Sequence, residues 1–176
     1  MRVIAGTAKG HKLFAPVGLD VRPTLDRVKE SVFSMLYPYL SNASVLDLFA
    51  GTGALGIEAL SRGASRCTFV DLNRKSLDTV KINLEKTHLY DKSDLVLSSA
   101  DKYLKTTNKF FDIVFIDPPY SKGIENDVFP LLCENVNSDS IIVLETEEIP
   151  PVFDGFSVFK QSKYGRVYIT LLKKEV

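Results

Sequence analysis

The chain has 176 residues, 45% apolar and 25% charged, which is close to the usual size of one globular domain and excludes collagenous, coiled-coil and disordered classes. Its 22 Lys and Arg balance 22 Asp and Glu, so a uniformly basic nucleic-acid-binding protein is excluded too. We expect a single domain over residues 1–176, with an N-terminal extension at 1–44 and an α/β core at 45–176.

In chain order, 2–4 and 12–14 read as short strands around a glycine-containing turn. Residues 25–40 read as a helix, with Thr24 as N-cap after Pro23 and Asp26 in the first turn, where the helix dipole favours an anion. Residues 1–29 carry six basic residues against two acids, a surplus of four, and the other 147 carry the matching deficit. Lys9, Lys12, Arg22 and Arg27 are therefore candidate substrate-binding residues as phosphate contacts.

From residue 45 the pattern alternates. Runs at 45–49, 67–70, 94–97, 113–116 and 141–144 are short, apolar and largely β-branched or aromatic, as buried strands are. Helix-period segments lie between them at 54–61, at 74–86 (apolar positions Leu77, Val80, Ile82 and Leu84) and at 126–134. The alternation predicts right-handed βαβ crossovers and a parallel sheet covered on both faces. The runs at 156–161 and 166–173 leave no room for a helix between them, so they pair antiparallel and complete seven strands. Tyr164-Gly165-Arg166 in their connection reads as an ordinary turn.

Cys67 and Cys133 lack a CxxC or a nearby His partner and read as core thiols, while His11 and His88 read as solvated or locally bonded imidazoles. No metal site is expected. No secretory signal or membrane-length apolar run is visible, so a cytoplasmic protein without a membrane partner is expected.

The segment Val45-Leu46-Asp47-Leu48-Phe49-Ala50-Gly51-Thr52-Gly53-Ala54-Leu55-Gly56 leads from strand into helix and contains GxGxxG. Gly51 and Gly53 allow a sharp turn and the approach of a ligand, with Phe49 and Thr52 in the same loop. Asp71 ends the next strand 20 residues after Gly51, suited to accept from ribose hydroxyls, and Leu72 follows it. Asp101, in Ser98-Ser99-Ala100-Asp101, is placed to accept from an adenine amino group or to cap a short helix at 102–105. Asp47 separates two cofactors that share such a ribose site. It lies where a dinucleotide fold keeps an apolar residue, and a buried carboxylate there suits the ammonium of S-adenosyl-L-methionine rather than NAD.

After the fourth run comes Asp117-Pro118-Pro119-Tyr120. Two acceptors, the Asp117 carboxylate and the Pro118 carbonyl, suit an exocyclic base amine, whose lone pair is otherwise delocalised into its ring. The Pro118-Pro119 pair stiffens the loop, and Tyr120 offers a face on which an extruded base stacks.

This box and the D-x-F-x-G-x-G loop resemble Rossmann-like class I methyltransferases acting on nucleobase amines. The stretch Arg22-Pro23-Thr24-Leu25-Asp26-Arg27 before the loop resembles the RsmD family, over essentially the whole chain. The resemblance implies methyl transfer from S-adenosyl-L-methionine to guanine N2 of 16S (small-subunit) rRNA, in a partly assembled subunit and with no obligate protein partner. It also implies a Rossmann-like sheet with a small hairpin-and-helix extension, and the resemblance of the Arg22-Pro23-Thr24 segment adds Thr24 to the candidate substrate-binding residues. An adenine-N6 DNA or RNA methyltransferase is the alternative within the class. A dinucleotide-binding oxidoreductase or a non-catalytic nucleotide-binding module is the alternative outside it.

Overall fold

The structure, a computed structural model, describes residues 1–15, 24–118 and 123–175. Arg22, Pro119 and Tyr120 lie outside the described residues, as does the Thr24 side chain. The elements run α1 (Thr24–Leu36), β1 (Ser44–Asp47), α2 (Ala54–Ser61), β2 (Arg66–Asp71), α3 (Arg74–Lys86), β3 (Ser93–Leu97) and α4 (Ala100–Thr106). Then come β4 (Phe111–Ile116), α5 (Ile124–Leu132), β5 (Val136–Thr146), β6 (Phe156–Tyr164) and β7 (Val167–Lys174).

The seven strands are ordered β3-β2-β1-β4-β5-β7-β6. The first five are mutually parallel, and β7 runs antiparallel to both β5 and β6. Because β2 and β3 are added on one side of β1, and β4 and β5 on the other, the chain changes direction between β1 and β4. That switch point is where ligands bind in open α/β sheets.

Period-two alternation sends successive strand residues to opposite faces, and each face has its own core. On one, Val45, Phe69, Phe115 and Val143 pack under Phe33 of α1, Ile57 of α2 and Val80 of α3. On the other, Leu46, Val70, Val114 and Ile142 meet Tyr103 of α4 and Phe129 of α5. Each such side chain contributes on the order of 2 kcal/mol by leaving water. The sheet is thus covered on both faces, as the uninterrupted apolar runs predict. Among the described residues no helix is long and apolar enough to cross a membrane.

Several local expectations are corrected. The strands expected at 2–4 and 12–14 reduce to one antiparallel bridge, Arg2 to Lys12. The Val3 N–H still donates to the His11 carbonyl and the Leu13 N–H to that of Met1, while the turn between them docks on α2: the N–H groups of Ile4 and Ala5 donate to Glu58, and that of Ala8 to Ser61. Gly6 passes so close that a Cβ there would lie 1.8 Å from the Ser61 carbonyl oxygen. Thr24 is the first residue of α1 rather than its N-cap. The α-helical part ends at Leu36 and tightens into a 3₁₀ turn at Tyr37–Tyr39, where Pro38 has no N–H to continue the ladder. In α3 Ile82 is 48% exposed, and Asn83 is buried in its place. Asp101 does not cap α4, whose N-cap is Ser99. Cys67 is buried as expected, but Cys133 is only half-buried.

Candidate active site

A cleft of about 230 Å³ opens at the switch point, over the ends of β1, β4 and β5 and under α1. In the sheet register Asp47 lies opposite Phe115 and Phe115 opposite Val143. Asp117 and Glu145 are each two residues further along, so Asp47, Asp117 and Glu145 come to one face, and all three line this cleft. A second cleft of about 390 Å³ lies beyond, between Pro118, the start of α5 and residues 145–151. Asp117 and Glu145 are common to both.

Asp47 is almost wholly buried, and its Oδ2 accepts one bond, from the Gly56 N–H at 3.1 Å. Among the described residues no cation pairs with it. Burial, reinforced by the charges of Asp117 and Asp71, raises its carboxyl to about 8 against the Gly56 hydrogen bond. Asp117 faces solvent from the wall between the clefts, yet surrounding protein raises it to about 6.

The glycine loop is tied to the next acid. The Gly51 N–H donates to Asp71 Oδ2 at 2.9 Å and the Asn73 N–H to Oδ1 at 2.8 Å, which leaves a lone pair on each oxygen for a ligand hydroxyl. Gly51 and Gly53 have φ of 54° and 79°, a region L side chains rarely adopt. A Cβ at Gly51 would meet nothing nearer than 4.0 Å, so the space above the loop is open to a ligand. Gly56 serves packing instead: a Cβ there would stand 2.3 Å from the Phe69 ring.

Phe49, Thr52 and Gly51 line the first cleft with Asp47 and Asp117, and Pro118 lines the second. Asp71, Leu72, Ala100 and Asp101 lie outside both, at the ends of β2 and β3 and the start of α4. Leu72 is 75% exposed. Asp101 is held 3.6 Å from Lys105, and its carboxyl is lowered chiefly by hydrogen bonds from Ser99 and the Lys102 N–H. Lys9, Lys12 and Arg27 are exposed on the extension, whose Met1, Asp26 and Lys29 form part of the first cleft's wall. The Tyr164 hydroxyl at the hairpin turn bonds Ser31 of α1.

Four residues that tie the site together carry no motif. Glu58 is fully buried and binds Lys29 at 3.1 Å and Arg62 at 2.7 Å. Lys29 is thereby withdrawn from the basic surface that the sequence assigned to residues 1–29. Asn83 accepts from the Phe14 N–H and donates to the carbonyls of Phe14 (3.0 Å) and Thr52 (2.9 Å), joining the extension to the glycine loop. A signal for Glu58 existed: the rest of α2 is almost entirely apolar or small on every side, so its one acid had no solvent face.

A buried carboxyl lacking a cation, an open glycine loop and an acid behind that loop fit the ammonium and ribose of S-adenosylmethionine. The family model described as Conserved hypothetical protein 95 matches residues 1–173. The chain belongs to this family. The ribosomal RNA small subunit methyltransferase D of Haemophilus influenzae is 36% identical over 95% of this chain and 90% of that protein. Its namesake from Escherichia coli is 34% identical over 99% and 90%. The solved yhhF structure from Escherichia coli superposes with a TM-score of 0.89 at 35% identity, covering 99% of this chain and 98% of that one. The RsmD resemblance and the Rossmann-like fold read from the sequence are therefore correct, and the chain is an S-adenosylmethionine-dependent methyltransferase. The oxidoreductase and non-catalytic alternatives fall away.

Proposed function

We propose that the protein methylates the exocyclic N2 amine of a guanine in small-subunit rRNA, in the cytoplasm and on a partly assembled subunit. The observation that carries this reading is the placement of Asp47 and Asp117 side by side at the switch point, one lacking a cation and the other bordering a second cleft. The names of the relatives supply the rRNA.

When bound, S-adenosylmethionine supplies an electrophilic methyl group on a sulfonium. Asp47 holds the ammonium, Gly51 and Thr52 leave room for the chain, and Asp71 takes the ribose hydroxyls, with Gly53, Phe49 and Leu72 shaping the pocket and Ala100 and Asp101 flanking the adenine. Asp117 and the Pro118 carbonyl accept from the two amine N–H groups, which frees the nitrogen lone pair from the ring and stabilises the positive charge it acquires. Pro119 stiffens this grip and Tyr120 stacks on the base. Lys9, Lys12, Arg22 and Arg27, with Thr24, bind the RNA backbone.

Mapping methylated nucleosides in rRNA from a deletion strain and its parent tests the reading. Loss of one N2-methylguanosine is expected, and loss of an N6-methyladenosine instead would overturn it. Asp117→Ala should lower single-turnover rates at least about a hundredfold while S-adenosylhomocysteine affinity stays near wild type. Because the ionised Asp117 carboxylate stabilises the positive charge developing on the nitrogen and the neutral acid does not, the wild-type rate should rise with pH through about 6.

A further inference from the structure

We propose that Glu145 reads the Watson–Crick edge of the target base and makes the enzyme select guanine. The inference rests on the guanine-N2 reading above and deepens it.

Asp117 alone does not choose between purines, because guanine and adenine each offer an exocyclic amine beside a ring nitrogen. They differ at that ring nitrogen: N1 of guanine carries a hydrogen, whereas N1 of adenine is a bare acceptor. A residue that tells them apart must stand next to the amine-binding group and be of one hydrogen-bonding sign.

Glu145 meets both conditions. Ile116 and Leu144 are paired in the parallel register of β4 and β5, so Asp117 and Glu145 are the next residues on adjacent strands. Both border both clefts, and no other residue does so among those described. An ionised carboxylate only accepts. It takes the N1–H of guanine while Asp117 takes the amine, and it opposes the N1 lone pair of adenine. Three further acids, Glu125, Glu147 and Glu148, line the second cleft. A wall of that sign repels phosphate and suits the donor edge of a base, which leaves the RNA backbone to the exposed Lys9, Lys12 and Arg27.

The test compares wild type with Glu145→Gln on synthetic rRNA fragments carrying guanine or 2-aminopurine at the mapped nucleotide. 2-Aminopurine keeps the N2 amine but has an acceptor at N1. Wild type should favour guanine in kcat/KM by about tenfold or more. Glu145→Gln should shrink that preference at least several-fold, because the carboxamide oxygen accepts the N1–H of guanine without a charge while its NH2 group donates to the N1 of 2-aminopurine. Unchanged calorimetric affinity for S-adenosylhomocysteine checks that the variant is folded. A guanine preference unchanged in the variant would overturn the proposal while leaving guanine N2 as the acceptor. Methylation of an adenine fragment in preference to both would overturn the guanine reading itself.

Discussion

Two regions of this molecule bury a carboxylate, and they treat it in opposite ways. Where the N-terminal extension meets α2, Glu58 receives Lys29, Arg62 and the N–H groups of Ile4 and Ala5 at 2.7–3.1 Å. At the switch point, Asp47 receives a single N–H. The first acid is complete and acts as a structural joint. The second is deficient by one cation, and a deficit of this kind in a cleft marks a ligand site.

The contrast breaks if Glu58 proves dispensable. Glu58→Gln leaves Lys29 and Arg62 facing a neutral group in a dry interior, and should cost about 3 kcal/mol in chemical denaturation. Asp47→Asn should do the reverse. A carboxyl raised to about 8 binds its proton more tightly folded than unfolded, so its contribution is present at low pH and is lost as pH rises from the ordinary carboxylate range through about 8. At pH 9 the variant without cofactor should therefore gain on the order of 2 kcal/mol, about 5 °C in Tm, while at pH 4 the gain should vanish. The same variant should bind S-adenosylhomocysteine about a hundredfold more weakly by calorimetry.

A smaller effect sharpens the point. Because an ammonium pairs with the ionised form of Asp47, wild-type affinity for S-adenosylhomocysteine should fall as pH drops from about 8 to 6, by up to about tenfold per unit. Asp47→Asn should flatten that profile. Smallest of all, charge reversal at Lys9 and Lys12 should weaken RNA binding and reduce its salt slope by about two, with cofactor affinity unchanged.

Much of this was readable from the residues because it depends on local period and punctuation. The bounds of α2 and α3 coincide with those the apolar spacing predicts. The strand cores, the βαβ alternation and the final antiparallel pair were legible for the same reason, as were the positions of Asp47 and Asp117, acids at and just beyond the ends of apolar strands. The hairpin and helix of the extension were legible in outline, but how they dock on the core was not. The extension's backbone partners, Glu58 and Ser61, lie more than fifty positions away, and no local pattern records them. The α3 stripe shows how narrow the margin is. Three residues on from Val80 is Asn83, so the helical period pointed to a polar side chain, and hydrophobicity pointed to Ile82 instead. Glu145 escaped because it belongs to no motif; only the pairing of β4 with β5 brings it beside Asp117.

The single amide of Asn83 has a thermodynamic corollary. By gripping both the end of the extension at Phe14 and the glycine loop at Thr52, it makes the two segments parts of one body. Immobilising either lowers the entropy left to lose in the other. Cooperativity between the methyl donor and the RNA is then expected to be positive, and the factor by which each tightens the other must be the same in both directions.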